Sequence, residues 1–331
     1  MNGITVRIIS RSRELPAMPD NDFFHSPGLF RIAEQSPGHT PFMVVCEDQG
    51  GRVVAHLLAL VRTRGSLLPP YIFTQGRIYG EGDYDEDAER EDNIDHEQLF
   101  AIMLNALTRK LRRRLCFYIE FSDLSTKMFG YRYFRQLGYF PVSWQEVHNS
   151  LHSLSPEERL LPKMQRTLGK ARQRGFSCHA STDSTEISEF CHILRKHFRL
   201  NSRRFIPKEK HFQLLKDDPH VKFFITTRKG KLCGGCACAF SDGKAFLWYL
   251  ASRKGARSQH QSNALAIWTA LLYAYRHNYG HMYFLDAGMP ISHDAYRNFI
   301  LGFGGKPVTK FRWFRTAFPW LNHLLQATIG G

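Results

Sequence analysis

The sequence predicts an α/β protein of two tandem domains, each a mixed, mostly antiparallel sheet flanked by helices. Three observations carry this expectation. The chain has 331 residues, enough for two domains of about 150 residues each. Apolar residues make up 43% and aromatics 13% of it, which supplies sizeable cores. The order of strand, turn and helix signals occurs twice along the chain. The expected division is 1–152 and 153–331.

The repeat is clearest in the middle of each half. FMVVCEDQGGRVVAHLLALV reads as strand, polar turn at Asp48 to Gly51, and strand, and VKFFITTRKGKLCGGCACAFS repeats that plan with its turn at Arg228 to Lys231. A further apolar strand follows each hairpin, around YIFTQGRIY and KAFLWYLAS. Then comes a helix with one buried stripe. Phe100, Met103, Leu104, Leu107 and Leu111 mark it in the first half, and Leu265, Trp268, Leu271, Leu272 and Tyr275 in the second. Asp95 and Gln98 form a capping pair for the first of these helices. The strands LCFYIEFSD and HMYFLDAG come next, followed by related words, YRYFRQLGYFPV and AYRNFILGFGGKPV. Each of these reads as a short helix closed by a left-handed glycine before a final strand. Helices over 185–198 and 207–216 precede the second hairpin, and a weaker helical signal covers 23–34.

The net charge is +15, although Glu81 to Asp95 holds nine carboxylates against one arginine. So basic a remainder favours polyanionic company: tRNA, a nucleotide-linked substrate or an anionic membrane surface. The amino terminus lacks the apolar core of a secretion signal, and Ala264 to Tyr275 is too short to span a bilayer. Seven scattered cysteines form no disulfide framework, which fits a reducing compartment. A cytoplasmic protein, able to sit peripherally at the inner face of a membrane, is expected.

The doubled order of elements resembles the GNAT acyltransferase fold. The joining segment LPKMQRTLGKARQRGF resembles, more narrowly, the helix that opens the second domain of the Fem-type peptidyltransferases, the FemABX family, through Lys163, Arg166, Lys170 with Ala171, and Gly175. The block YFLDAGMP followed by AYRNFILGFGGKPV is similar to that family's late strand and its aromatic-Gly-Gly segment. The resemblance covers nearly the whole chain through loose motifs in a matching order. It implies two tandem GNAT-like domains and a transferase that moves an aminoacyl group from aminoacyl-tRNA to an amine of a nucleotide-linked or lipid-linked cell-envelope precursor. No metal or permanently bound cofactor is implied. One departure stands out. Where the family often shows Phe-Lys in the last helix, this chain has Phe299-Ile300, leaving Arg297 or Lys306 to take the lysine's place.

Transfer of an acyl group to an amine needs a neutral amine, a donor for the carbonyl oxygen as it becomes negative, and positioning of both partners. In the GNAT-like reading the oxygen is held where the strands at 246–251 and 281–286 splay. That makes Tyr249, Asp286 and His293 the candidate catalytic side chains, with Asp286 or His293 as proton acceptor. Lys163, Arg166, Lys170 and Arg174 share one helix face opposite Met164, Leu168 and Ala171. Lys163, Arg166 and Lys170, with Arg203, Arg204 and Arg253, form the candidate substrate-binding set, to which Arg297 and Lys306 are added. Neither half carries the Gln/Arg-x-x-Gly-x-Gly/Ala loop of an ordinary acetyl-CoA enzyme, and only Gly255 with Arg253, Lys254 and Arg257 stands in its place. The second domain is expected to hold the donor and the catalytic groups, and the first to bind the acceptor or serve as scaffold. An acyl-CoA or acyl-carrier-protein N-acyltransferase of amino sugars or aminolipids, and a non-catalytic binding module, are the alternatives.

Other motifs point away from chemistry. Cys233, Cys236 and Cys238 read as buried strand residues, because no second cysteine pair or spaced histidines accompany them. Asp83-x-Asp85-x-Asp87 fails as a calcium loop, with Ala88 where glycine is needed and Ile94 where glutamate is needed. The tail KFRWFRTAFPWLNHLLQ suits either a membrane interface or a cover for the second domain's sheet.

Overall fold

A computed structural model describes residues 3–67, 70–85, 95–152, 154–199, 206–291 and 293–329. The chain divides into two compact units, Met1–Trp144 with Thr309–Gly331, and Gln145–Val308. The boundary thus falls after Trp144, eight residues before the expected cut between 152 and 153, and the C-terminal segment is counted with the first unit.

The first unit is built on β1 (Thr5–Ile9), β2 (His39–Glu47), β3 (Val53–Leu67), β4 (Pro70–Tyr79), the short β5 (Asp83–Tyr84) and β6 (Tyr118–Ser122), with helices α1 (Pro27–Gln35), α2 (His96–Arg113) and α3 (Tyr131–Gln136). The strands β1 to β4 pair antiparallel in sequence order. The α2 crossover then lays β6 parallel to β4, from Gln75 opposite Tyr118 to Tyr79 opposite Ser122. The stripe expected on α2 is buried, with Phe100, Met103, Leu104, Leu107 and Leu111 packing on Phe42, Val44, Leu57 and Phe121. Asp95 caps α2 by accepting from the Glu97 amide at 3.1 Å.

The second unit repeats the plan. After β7 (Phe140–Ser150) come α4 (Pro156–Arg159), α5 (Pro162–Gln173), β8 (Phe176–Ser181), α6 (Ser184–His197), α7 (Glu209–Leu215), β9 (Val221–Arg228), β10 (Lys231–Ser241), β11 (Lys244–Ser252), α8 (Ala256–Arg276), β12 (His281–Phe284) and α9 (Ala295–Ile300). Again four strands, β8 to β11, pair antiparallel in order, and β12 lies parallel to β11. Two-residue turns with both central φ positive close the hairpins: Lys229 and Gly230 at +50° and +72°, Asp242 and Gly243 at +45° and +64°. This mirror-image turn matches the twist of the strands it joins. One face of the sheet packs on α5 and α8 through Leu168, Trp268, Leu271, Cys236 and Cys238. On the other face, Phe212 of α7 lies edge-on to Tyr249, with ring centroids 5.1 Å apart.

The two sheets finish in an exchanged order. The sixth strand of the second unit is the later part of β7, from Gln145, which precedes that unit's other strands and pairs with β12 from Val147 opposite Phe284 to Ser150 opposite His281. The sixth strand of the first unit is β13 (Lys306–Thr316), from the far end of the chain, which pairs with β6 from Trp313 opposite Phe121 to Thr316 opposite Tyr118. Trp313 is fully buried and stacks on Phe134 of α3 at 4.6 Å. The tail, read beforehand as a possible cover for the second sheet, instead belongs to the first unit. Its helix α10 (Pro319–Ile329) is anchored by the Asn322 amide on the Gly138 carbonyl, and the Ala317 amide bonds the Phe117 carbonyl at 2.9 Å.

The short helices α3 and α9 both end as their sequences predict, at Gly138 (φ +78°) and Gly304 (φ +88°). Gly305 follows because nothing larger fits: a Cβ there would overlap Asn149 Oδ1 and Val147. Asn149 is buried and donates to the Phe303 carbonyl at 3.0 Å, locking that turn to β7.

Candidate functional site

The parallel pairing of β11 with β12 lasts for three residue pairs and ends at Phe246 opposite Tyr283. Beyond that point the strands part for two local reasons. Ala237 faces Tyr249 while Cys238 faces Leu247, so Trp248 is an extra residue that bulges β11 and increases its twist. On the other side the chain after β12 turns to β7, where the Ala287 amide donates to the Gln145 carbonyl at 3.1 Å and the Gln145 amide to the Gly288 carbonyl at 2.7 Å. The edge of β11 is thereby released from β12 at its carboxyl end, three residues before α8 begins. In the first unit the equivalent strands stay together for five pairs, and the Gly80 amide extends the contact to the Ser122 carbonyl at 2.7 Å.

Beside the parting lies a pair of side chains from β7. Glu146 and His148 alternate along the strand and therefore share a face. Glu146 is 1% exposed, and its Oε2 lies 2.9 Å from His148 Nε2. The His148 ring stands edge-on to Tyr283, opposite it on β12, with centroids 4.3 Å apart. Tyr283 in turn touches Phe246 at 5.4 Å, so it joins His148 to the last paired residue before the gap. His281 stacks on Tyr283 at 5.7 Å, with His152 edge-on to it at 5.0 Å. Partial burial, then the neighbouring His152, His148 and Lys244, hold the His281 pKa below the ordinary imidazole value. The neutral tautomer that suits this contact donates from Nε2 to the carboxylate and leaves Nδ1 as the ring's acceptor.

The residues singled out by sequence are distributed around this arrangement. Tyr249 is buried on β11 just past the bulge. Asp286 is half-buried in the segment after β12, and His293 is exposed, with Nε2 3.3 Å from the Asn298 amide nitrogen. Asp294 caps α9, accepting from the Arg297 amide at 2.9 Å. The Arg297 guanidinium donates to the carbonyls of Met289 (2.8 Å) and Ala287 (3.3 Å), holding the loop that carries Asp286. Lys306 is exposed at the start of β13, and Ile300, where the resemblance implies a lysine, is fully buried in the core. Arg253 is engaged with Glu189 and with the Leu232 carbonyl at 2.9 Å. Arg203 and Arg204 lie outside the described residues.

The basic helix forms as expected. Met164, Leu168 and Ala171 of α5 are buried, while Lys163, Arg166 and Lys170 are exposed. It packs beside α8, whose amino end follows Gly255 at φ +143° without a side-chain cap. His260 in that first stretch of α8 lies 4.6 Å from the Phe299 ring. Burial and then the Lys163 charge lower its pKa. The structure thus brings Lys163, the start of α8 and Phe299 together, and it adds Glu146, His148 and Tyr283, which sequence reading did not single out. The only signal for them was Glu-x-His on a strand expected to be the last of the first repeat.

Cys236 and Cys238 are buried in the core with sulfurs 4.0 Å apart, and Cys233 is half-buried. Asp83 accepts from the amides of Asn21 (2.8 Å) and Asp22 (3.0 Å), and Asp85 pairs with Arg52. Asp87, Ala88 and Ile94 lie outside the described residues. Among the described residues no helix is long and apolar enough to cross a membrane.

No protein-family model matches the chain, and no curated protein sequence does. Solved structures do match across nearly its whole length. FemX aligns at 12% identity with a TM-score of 0.59, over 95% of this chain and 96% of its own. The C-terminal domain of a putative lysylphosphatidylglycerol synthetase from Agrobacterium fabrum aligns at 12% identity and 0.58, over 94% and 93%. A tandem GNAT protein from the clavulanic acid biosynthesis pathway aligns at 13% and 0.56, over 95% and 99%. At such identities the likeness is one of fold, and the fold of this chain is the tandem GNAT fold.

Proposed function

We propose that the protein is a transferase that moves an acyl or aminoacyl group to an amine, with its reaction centre in the second unit. The observation that carries this is the parting of β11 from β12 beside the Glu146–His148 pair, in a unit whose counterpart keeps the same strands closed. The amine nitrogen attacks the carbonyl carbon of an ester or thioester, forming the C–N bond. His148 Nδ1 accepts the amine's proton, and the developing imidazolium is stabilised by Glu146. Backbone N–H groups on the released edge of β11 stabilise the carbonyl oxygen. The C–O or C–S bond then breaks, and the leaving hydroxyl or thiol takes up the proton. Asp286 and His293 act on the acceptor side, and Tyr249 supports the bulged strand. Lys163, Arg166 and Lys170, with the amino end of α8, hold donor phosphates.

Fem-like transfer from aminoacyl-tRNA to an amine of a cell-envelope precursor is the reading preferred, supported by the likeness to FemX and by the basic helix. Transfer from acyl-CoA is the second reading, favoured by the buried Ile300 in place of the lysine that the Fem resemblance implies. Native mass spectrometry with charged tRNA, acetyl-CoA and long-chain acyl-CoA added separately distinguishes them. Retention of charged tRNA, lost in Lys163→Glu/Arg166→Glu, supports the first. Retention of a CoA ester alone replaces it with the second, and retention of neither overturns both.

A further inference from the structure

The first unit presents an exposed apolar ridge that the transfer reaction does not use. The half-buried Phe73 and Phe117 and the exposed Phe318 and Trp320 form a continuous line of rings, with successive centroids 5.1, 5.8 and 6.4 Å apart. Leu115 joins it through Thr74, whose hydroxyl donates to the Leu115 carbonyl at 3.1 Å and accepts from the Phe117 amide at 2.9 Å. Leu115 is 81% exposed and Trp320 66%. Apolar side chains this open and this close together mark a contact surface.

Two further observations say what the contact is. Leu115 adopts φ +52°, a left-handed conformation at the end of α2 where glycine or asparagine sits with less strain. A bulky apolar side chain held there faces outward at the expense of local stability. It directly follows Arg112, Arg113 and Arg114, all exposed. No acidic residue occurs from Ala101 to Ile119 or from Lys306 to Gly331, the segments that supply α2's end and the tail. Tryptophan and leucine in segments that carry arginines and no carboxylate suit the headgroup zone of a negatively charged membrane.

We propose that this surface docks the first unit on an anionic phospholipid bilayer, with Leu115, Phe318 and Trp320 inserted at headgroup depth and Arg112 to Arg114 on lipid phosphates. The attachment is reversible and interfacial. It is independent of the donor and acceptor of the transfer reaction, so it stands or falls apart from that reading.

Flotation of the full chain with vesicles tests it. Vesicles containing phosphatidylglycerol should carry the protein and pure phosphatidylcholine vesicles should not. Arg113→Glu/Arg114→Glu and Leu115→Asn should each weaken binding by at least about tenfold. Leu115→Asn also controls for folding, because it should leave the thermal midpoint unchanged or raised. Bromine-labelled lipid should quench tryptophan fluorescence, and Trp320→Phe should abolish the quenching. Failure to bind phosphatidylglycerol vesicles overturns the proposal, as does binding that Leu115→Asn leaves intact. Binding of RNA, or concentration-dependent dimerisation lost in Leu115→Asn, without vesicle binding would assign the surface to those partners instead.

Discussion

The imidazole of His148 has one nitrogen tied to a buried carboxylate and its ring braced by Tyr283, which is how a general base is oriented before a substrate arrives. His148→Gln should lower kcat by about 10²- to 10⁴-fold with KM little changed. Steady-state kinetics with saturating donor checks this. A variant that keeps full turnover removes His148 from the reaction. Arg297, which the sequence offers as a substitute for a catalytic lysine, donates to the loop carbonyls of Ala287 and Met289. Its substitution should disturb the geometry of that loop. The pairing of Glu146 with His148 was hard to read from sequence, because alternation along a strand looks the same whether the outward face meets solvent or substrate. Gly305 was legible as part of an aromatic-Gly-Gly word, but its reason was not: the Asn149 side chain that excludes a Cβ comes from a distant strand. Gly305→Ala should cost about 1–3 kcal/mol, measured by urea unfolding.

Elements that announce themselves by periodicity formed where expected, including the buried stripe of α2, the charged stripe of α5 and both hairpins. What periodicity leaves open is which neighbour an element takes. The end of α2 shows a related tension, since Leu115 occupies a position suited to glycine. Leu115→Gly should raise stability by about 1 kcal/mol, read as a higher thermal midpoint. Packing between β3, the turn at Phe23 to His25 and neighbouring loops buries three imidazoles of the first unit. Burial, opposed by Asp22 and Asp83, pushes the His25 pKa down. Burial holds His56 at about 4, against the pull of Asp83, and holds His39 at about 3 with help from Arg62. Unfolded imidazoles titrate near about 6.5. As pH falls from there toward 4 the unfolded chain binds protons that the folded unit refuses, so stability is lost with falling pH. For His56 alone the loss is on the order of a few kcal/mol. The urea midpoint of the first unit should therefore drop steadily between pH 6.5 and 4, and His56→Gln should flatten that slope. A pH-independent midpoint would rule out neutral buried histidines.

For the whole molecule, the duplicated plan was legible because both copies repeat the same order of signals. The exchange of the sixth strands was not. PVSWQEVHNS and KPVTKFRWFRT both read as final strands of their own repeats, and nothing local states which sheet each will join. A fragment spanning 145–308 should unfold cooperatively, whereas one spanning 153–308 should not, because it lacks the strand that pairs with β12. Circular dichroism during thermal unfolding decides between them. The exchange also sets an order in time. A ribosome delivers α1 to α3 of the first unit and most of its sheet early, yet Trp313, which fills the space against Phe134 and Phe121, is synthesised only after the second unit. The second unit has every one of its strands in hand well before then. The half of the chain that is made first is therefore the half that must wait, with an open sheet edge beside β6, until the whole second unit has been synthesised.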